Sequence, residues 1–155
     1  MKRIFISTLV VSAIVMNSFA QELVQWRGPH RNGIYDETNL LKEWPIDGPK
    51  LLWNYDGLGK GFTSVIVVKD KIYTTGATDG VGYLFAFDLQ GKLLWKVEYG
   101  KEWNTQYPGS RTTPGFYKGK LYLLTGLGEA LCLDAETGKK IWTVDIVQKF
   151  GGRTT

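Results

Sequence analysis

Apolar and polar positions alternate with a period of two through much of this 155-residue chain, and short clusters of Gly, Asp, Asn and Lys interrupt the alternating runs. The clearest instance runs from Ala130 to Trp142. Leu131 and Leu133 alternate with smaller neighbours, Asp134 to Gly138 supply turn chemistry, and Ile141 and Trp142 open a second β-prone run, so the stretch predicts a hairpin. A weaker copy spans Leu84 to Trp95, with Asp88, Gly91 and Lys92 at its turn. Lys50 to Trp53 repeats only the ending.

These copies are periodic. Trp53, Trp95 and Trp142 follow one another at 42 and 47 residues, while Lys71-Ile72-Tyr73 and Lys120-Leu121-Tyr122 lie 49 apart, as do Ser64 and Thr113. Such a period belongs to propeller blades. The first unit predicts strands over Thr63–Val68, Ile72–Thr75, Tyr83–Asp88 and Leu93–Tyr99, and the second over Thr113–Tyr117, Lys120–Thr125, Ala130–Asp134 and Ile141–Ile146. The expected fold is all-β, an incomplete β-propeller with about two full four-stranded antiparallel blades and parts of others. Lys50 to Tyr55 reads as a fourth, outer strand with no first three before it. Gly151 to Thr155 echo Gly109 to Thr113, the lead-in to a blade. A ring needs ~4 to 8 blades, so the organisation predicts an N-terminal piece whose remaining propeller lies elsewhere.

Three segments follow: 1–20, 21–49 and 50–155. Lys2 and Arg3 precede an apolar run from Ile4 to Met16 and then Ser18 and Ala20, which predicts a signal peptide cleaved near Ala20 and a periplasmic or secreted protein. The run is too short to span a bilayer, and no later stretch is apolar enough. Removing Lys2 and Arg3 lowers the formal charge from +4 to +2, leaving no basic excess that would favour nucleic acid. The single cysteine, Cys132, excludes an internal disulfide, and no Cys follows the cleavage position to carry a lipid anchor. Residues 21–49 are punctuated by Gly28-Pro29, Asn32-Gly33, Trp44-Pro45 and Gly48-Pro49, which predicts an extended leader lying over another surface, pinned by Trp26, with one helical turn at Leu40–Glu43.

Candidate chemistry concentrates between the units. Gly100 to Ser110 is a longer connection carrying Glu102, Trp103 and Tyr107, where propellers place ligand contacts. Arg111 precedes a strand expected to line the central channel, and Arg153 is its counterpart one unit on. Two guanidinium groups there suit an anion or a carboxylate-bearing ligand, while the bland alternative is that each fixes its loop through a backbone carbonyl. His30, the only histidine, has no second ligand near it in sequence. Cys132 reads as a small core residue, and Gly57, Gly59 and Gly61 precede a strand rather than the helix a phosphate loop needs. Asp134 and Glu136 sit in a turn, which argues against an acid–base pair.

The run Leu133-Asp134-Ala135-Glu136-Thr137-Gly138-Lys139-Lys140-Ile141-Trp142 resembles the tryptophan-docking repeat of the quinoprotein-type, or PQQ-like, β-propeller family. Trp26-Arg27-Gly28-Pro29 and Lys50-Leu51-Leu52-Trp53 resemble the openings of its exported bacterial members. The resemblance gives Trp53, Trp95 and Trp142 packing roles between blades, and Asp88, Gly91, Asp134, Thr137 and Gly138 corner roles. The family includes quinone-dependent alcohol and sugar dehydrogenases, which use PQQ, Ca²⁺ and often adjacent cysteines, alongside propellers that serve as scaffolds. With one Cys and no carboxylate cluster at metal spacing, the reading is a non-catalytic binding or assembly scaffold for a protein or carbohydrate ligand, with no cofactor. PQQ with Ca²⁺ enters only under the alternative, the N-terminal part of a dehydrogenase.

Overall fold

The computed structural model describes residues 23–153, so the expected signal peptide at 1–20 lies outside the described residues. Two four-stranded antiparallel sheets dominate. The first contains β1 (Ile66–Val68), β2 (Lys71–Thr78), β3 (Val81–Asp88) and β4 (Leu93–Lys101), and the second β5 (Gly115–Tyr117), β6 (Lys120–Leu124), β7 (Glu129–Asp134) and β8 (Lys140–Asp145). Strand order follows chain order in both, as in propeller blades. The registers repeat: Ala86 faces Trp95 and Cys132 faces Trp142, each beside a β-bulge. This is an incomplete β-propeller of two full blades.

One face of the first blade packs on one face of the second. Tyr73, Leu84, Ala86 and Tyr99 meet Leu121, Leu123, Leu131 and Leu133 in a single buried cluster. Full burial of each leucine contributes roughly 1.5–3 kcal/mol relative to exposure. The far face of the first blade, Phe85 and Phe87, is covered by the Lys50–Tyr55 segment, since Tyr55 meets Phe87 edge-on at 4.8 Å and Trp53 stacks on it at 6.2 Å. The far face of the second blade presents Tyr122, the half-exposed Trp142 and Leu124.

Several expectations are corrected. Lys50–Tyr55 is extended but pairs with no strand, because Trp53 and Tyr55 are held by aromatic packing. Leu40–Glu43 forms a bend and no helix. The inner strands start later than expected, at Ile66 and Gly115, since side chains hold the preceding residues: Ser64 N–H donates to Thr113 Oγ1 of the second lead-in at 2.8 Å, and Thr63 Oγ1 donates to the Thr75 carbonyl of β2 in its own blade at 3.1 Å. β8 stops at Asp145, whose carboxylate caps a short helix, α1 (Ile146–Phe150), by accepting from Gln148 N–H at 2.8 Å. β2 and β3 run longer than expected and meet at Asp79-Gly80, whose φ values of 51° and 78° suit a two-residue hairpin turn. Trp26 is not a buried anchor: its ring is 55% exposed beneath Arg27, and the leader is fixed by Val24, which exchanges two backbone hydrogen bonds with Phe116 at 3.0 and 2.8 Å.

Candidate functional site

The repeat turns assemble first. Asp134 Oδ1 accepts from Glu136 N–H, Thr137 N–H and Thr137 Oγ1 at 3.1, 2.9 and 2.8 Å, and these bonds, the Thr137 hydroxyl foremost, hold its carboxyl below the usual range. Asp88 makes the equivalent corner, accepting from Gln90 and Lys92 N–H at 3.0 and 2.9 Å. Each turn glycine then receives a tryptophan. A Cβ on Gly91 would lie 2.4 Å from the Trp53 ring, and one on Gly138 would lie 3.0 Å from Trp95 and 2.8 Å from Val97. Trp53 Nε1 also donates to the Leu89 carbonyl at 3.1 Å, whereas the buried Trp95 Nε1 has no partner. These residues are structural in geometry.

The connection between blades is organised by a buried polar chain. Glu102, 3% exposed, accepts from Tyr99 Oη at 2.6 Å through Oε1, and from Trp103 N–H and Gly126 N–H at 3.2 and 3.1 Å through Oε2. The Tyr99 hydroxyl is also 2.9 Å from Ser110 Oγ, which lies 2.7 Å from Thr75 Oγ1, and Thr75 donates to the Thr112 carbonyl at 2.6 Å. Burial, reinforced by the Glu102 bond, pushes the Tyr99 hydroxyl far above its ordinary range.

On this scaffold the lead-ins of the two blades run side by side. Gly61 and Ser110 form a parallel bridge, with Phe62 N–H donating to the Ser110 carbonyl at 2.8 Å. Phe62 and Arg111 therefore meet. The Arg111 guanidinium sits 5.8 Å from the Phe62 ring centroid and 5.9 Å from that of Trp103, within cation–π range of both. Its Nη2 donates to the carbonyls of Gln106 and Tyr107 at 3.3 and 2.9 Å, and Trp103 Nε1 donates to Gln106 at 2.7 Å. Arg111 thus fixes its own loop, yet remains exposed beside Phe62, which is 64% exposed, and Tyr107, 68%.

Of the expected site residues, Glu102, Trp103 and Arg111 come together, and Arg153 does not. It lies past α1, where it lines a separate recess with Leu124, Thr125, Val147 and Phe150. Glu102 is a buried loop anchor rather than an open ligand contact. Phe62 was absent from the expected set, although the 49-residue spacing that relates Ser64 to Thr113 also relates Phe62 to Arg111. Cys132 is buried within β7, where burial raises its thiol above the ordinary value. Among the described residues, no three His, Cys, Asp or Glu side chains converge to hold a metal, and no helix is long and apolar enough to cross a membrane.

Comparison with known proteins places this geometry. Residues 80–154 match the family described as outer membrane protein assembly factor BamB. The chain is 30% identical over 123 residues to an alcohol dehydrogenase (quinone), dehydrogenase subunit, from Gluconobacter oxydans (strain 621H), a match covering 74% of this chain. The chain belongs to the PQQ-like repeat family. A quinohemoprotein alcohol dehydrogenase ADH-IIG from Pseudomonas putida is 29% identical over 119 residues, covering 72% of this PQQ-like chain. The matched stretch spans 16% of the length of each of these two relatives. Among solved structures, a europium-containing methanol dehydrogenase aligns over 62% of the chain and 18% of its own, with a TM-score of 0.46 and 19% identity.

Proposed function

We propose that this PQQ-like repeat protein is an exported, periplasmic or secreted binding and assembly scaffold without catalytic activity, working through the Phe62–Arg111–Trp103 surface. The observation that carries this reading is where the carboxylates of the region stand. Both oxygens of Glu102 are occupied by Tyr99, Trp103 and Gly126, and Asp134 is occupied by its turn. What remains open is a guanidinium within cation–π range of two rings, which suits recognition of an anionic group on a partner. The far face of the second blade, with Trp142 and Tyr122 set as Trp95 and Tyr73 are in the first, is where a further blade of the same design packs. Immobilised protein should retain a partner from periplasmic extract, and Arg111→Ala should reduce that retention at least tenfold. Arg111→Lys should fail as well, because an ammonium cannot hold two carbonyls and stack on two rings together. Quinone-dependent oxidation of an alcohol or sugar would sink the reading.

A second reading is favoured by the two quinone-linked alcohol dehydrogenases to which the chain is similar. Under it, this chain forms part of a PQQ-dependent dehydrogenase and Arg111 holds a carboxylate of the quinone, which would supply the electron acceptor. The Ca²⁺ that accompanies PQQ would need ligands other than Glu102. Added PQQ and Ca²⁺ should then raise the melting temperature, and an unchanged melting curve counts against it.

A further inference from the structure

Asn104 and Gly109, in the same connection as Trp103 and Arg111, line a cavity of about 170 Å³ together with Gly59, Ala77 and Gly80. Its frame is closed by backbone. Lys60 and Ala77 exchange hydrogen bonds at 2.7 and 2.8 Å, Ser110 N–H donates to the Lys60 carbonyl at 3.2 Å, and Glu102 N–H donates to the Gly80 carbonyl at 2.8 Å. Glycine is required at two wall positions. A Cβ on Gly59 would lie 2.3 Å from the Ala77 carbonyl oxygen, and one on Gly109 would lie 2.7 Å from the Lys60 backbone. The walls are therefore preformed, with polar side chains supplied by Lys60, Thr78, Asp79 and Asn104. Lys60 and Asp79 are not committed elsewhere, the one ion pair among the described residues being Lys71–Glu136. Asn104 lies over the hairpin turn, its amide 3.0 Å from where a Cβ on Gly80 would stand.

We propose that this cavity binds one ring of a hydroxyl-rich carbohydrate. One cation and one anion cancel, which favours a neutral ligand. A carboxylate and a carboxamide side by side can accept from and donate to neighbouring hydroxyls, each of which is itself donor and acceptor, and Lys60 adds a donor. The volume is below the ~300–1,000 Å³ of sites for drug-sized ligands and suits a single ring.

The test is ligand-detected NMR and calorimetric titration of the full chain with methyl α-glucopyranoside, methyl α-galactopyranoside and, as a zwitterionic control, glycine. At least one pyranoside should bind in the millimolar range. Asp79→Gly, which keeps the positive φ without strain, and Asn104→Ala should each weaken it about tenfold or more while leaving the melting temperature in place. Lys139→Ala, at an exposed position in the turn of the second blade, should leave pyranoside affinity unchanged. Absence of pyranoside binding, preference for glycine, or full affinity in both cavity variants overturns the proposal.

Discussion

At the scale of single residues, the interface between the blades depends on polar atoms as much as on leucines. Tyr99 makes two hydrogen bonds in a buried setting, so Tyr99→Phe leaves Glu102 Oε1 and Ser110 Oγ short of a partner. We expect a loss of about 1–3 kcal/mol in chemical denaturation. Glu136→Gln should change stability by less than about 1 kcal/mol, because the Lys71–Glu136 pair, though it joins the two blades, has a partner that is 72% exposed. Similar destabilisation from both variants would show that the polar chain is no stronger than a surface pair. Alkaline pH probes the same interface. Burial, then the nearby Glu136 and Asp70 charges, push Tyr73, whose hydroxyl donates to the Ala135 carbonyl, from 10.0 up to about 12. A raised pKa means that the folded state holds its proton to higher pH than the unfolded one. The contribution is thus complete below about 10 and is lost as pH climbs to about 12. Thermal melts across that range should fall steadily, and Tyr73→Phe should flatten the slope.

At the scale of elements, the turn glycine and its tryptophan form one unit. Gly91→Ala places a methyl group against Trp53 at a residue with φ of 83°, so it should release the indole and shift its fluorescence to the red, with a loss on the order of 1–3 kcal/mol. An unshifted spectrum would mean that Phe87 holds Trp53 without the turn. This pairing was legible in the sequence because Trp, Asp and Gly recur at blade spacing. Strand identity was legible for the same reason, period-two alternation being strong from Ile72 to Asp88 and from Lys120 to Asp134. What escaped were the places where side chains replace ladder bonds. Thr63 and Ser64 look strand-like, but Thr63 bonds through its hydroxyl to β2 and Ser64 bonds across to Thr113, and Asp145 looks like one more strand residue until its carboxylate meets Gln148 N–H. Asp79-Gly80 carried a hairpin signal that the shorter strand assignments had passed over.

At the scale of the whole molecule, the candidate surface exists only because two blades stand side by side. Phe62 belongs to the first lead-in and Arg111 to the second, while Trp103 and Glu102 lie on the segment between them. Arg111 and Trp103 could be nominated from sequence by position, but Glu102 as a buried anchor and Phe62 as a stacking partner needed the two lead-ins to be parallel. The open face around Trp142 repeats the residue types that the first blade buries against the second, so its exposure follows from the repeat itself.

The bridge between Val24 and Phe116 bears on the order in which the chain folds. Val24 is among the earliest described residues, yet its backbone pairs with β5, which belongs to the second blade. Each blade closes through local hairpins, which form in microseconds, whereas this contact requires a loop spanning the whole first blade to be brought together. The leader therefore docks last, and its arrival should appear as a slow final phase in refolding that Val24→Pro, lacking the amide donor to Phe116, removes while the sheet signal still forms.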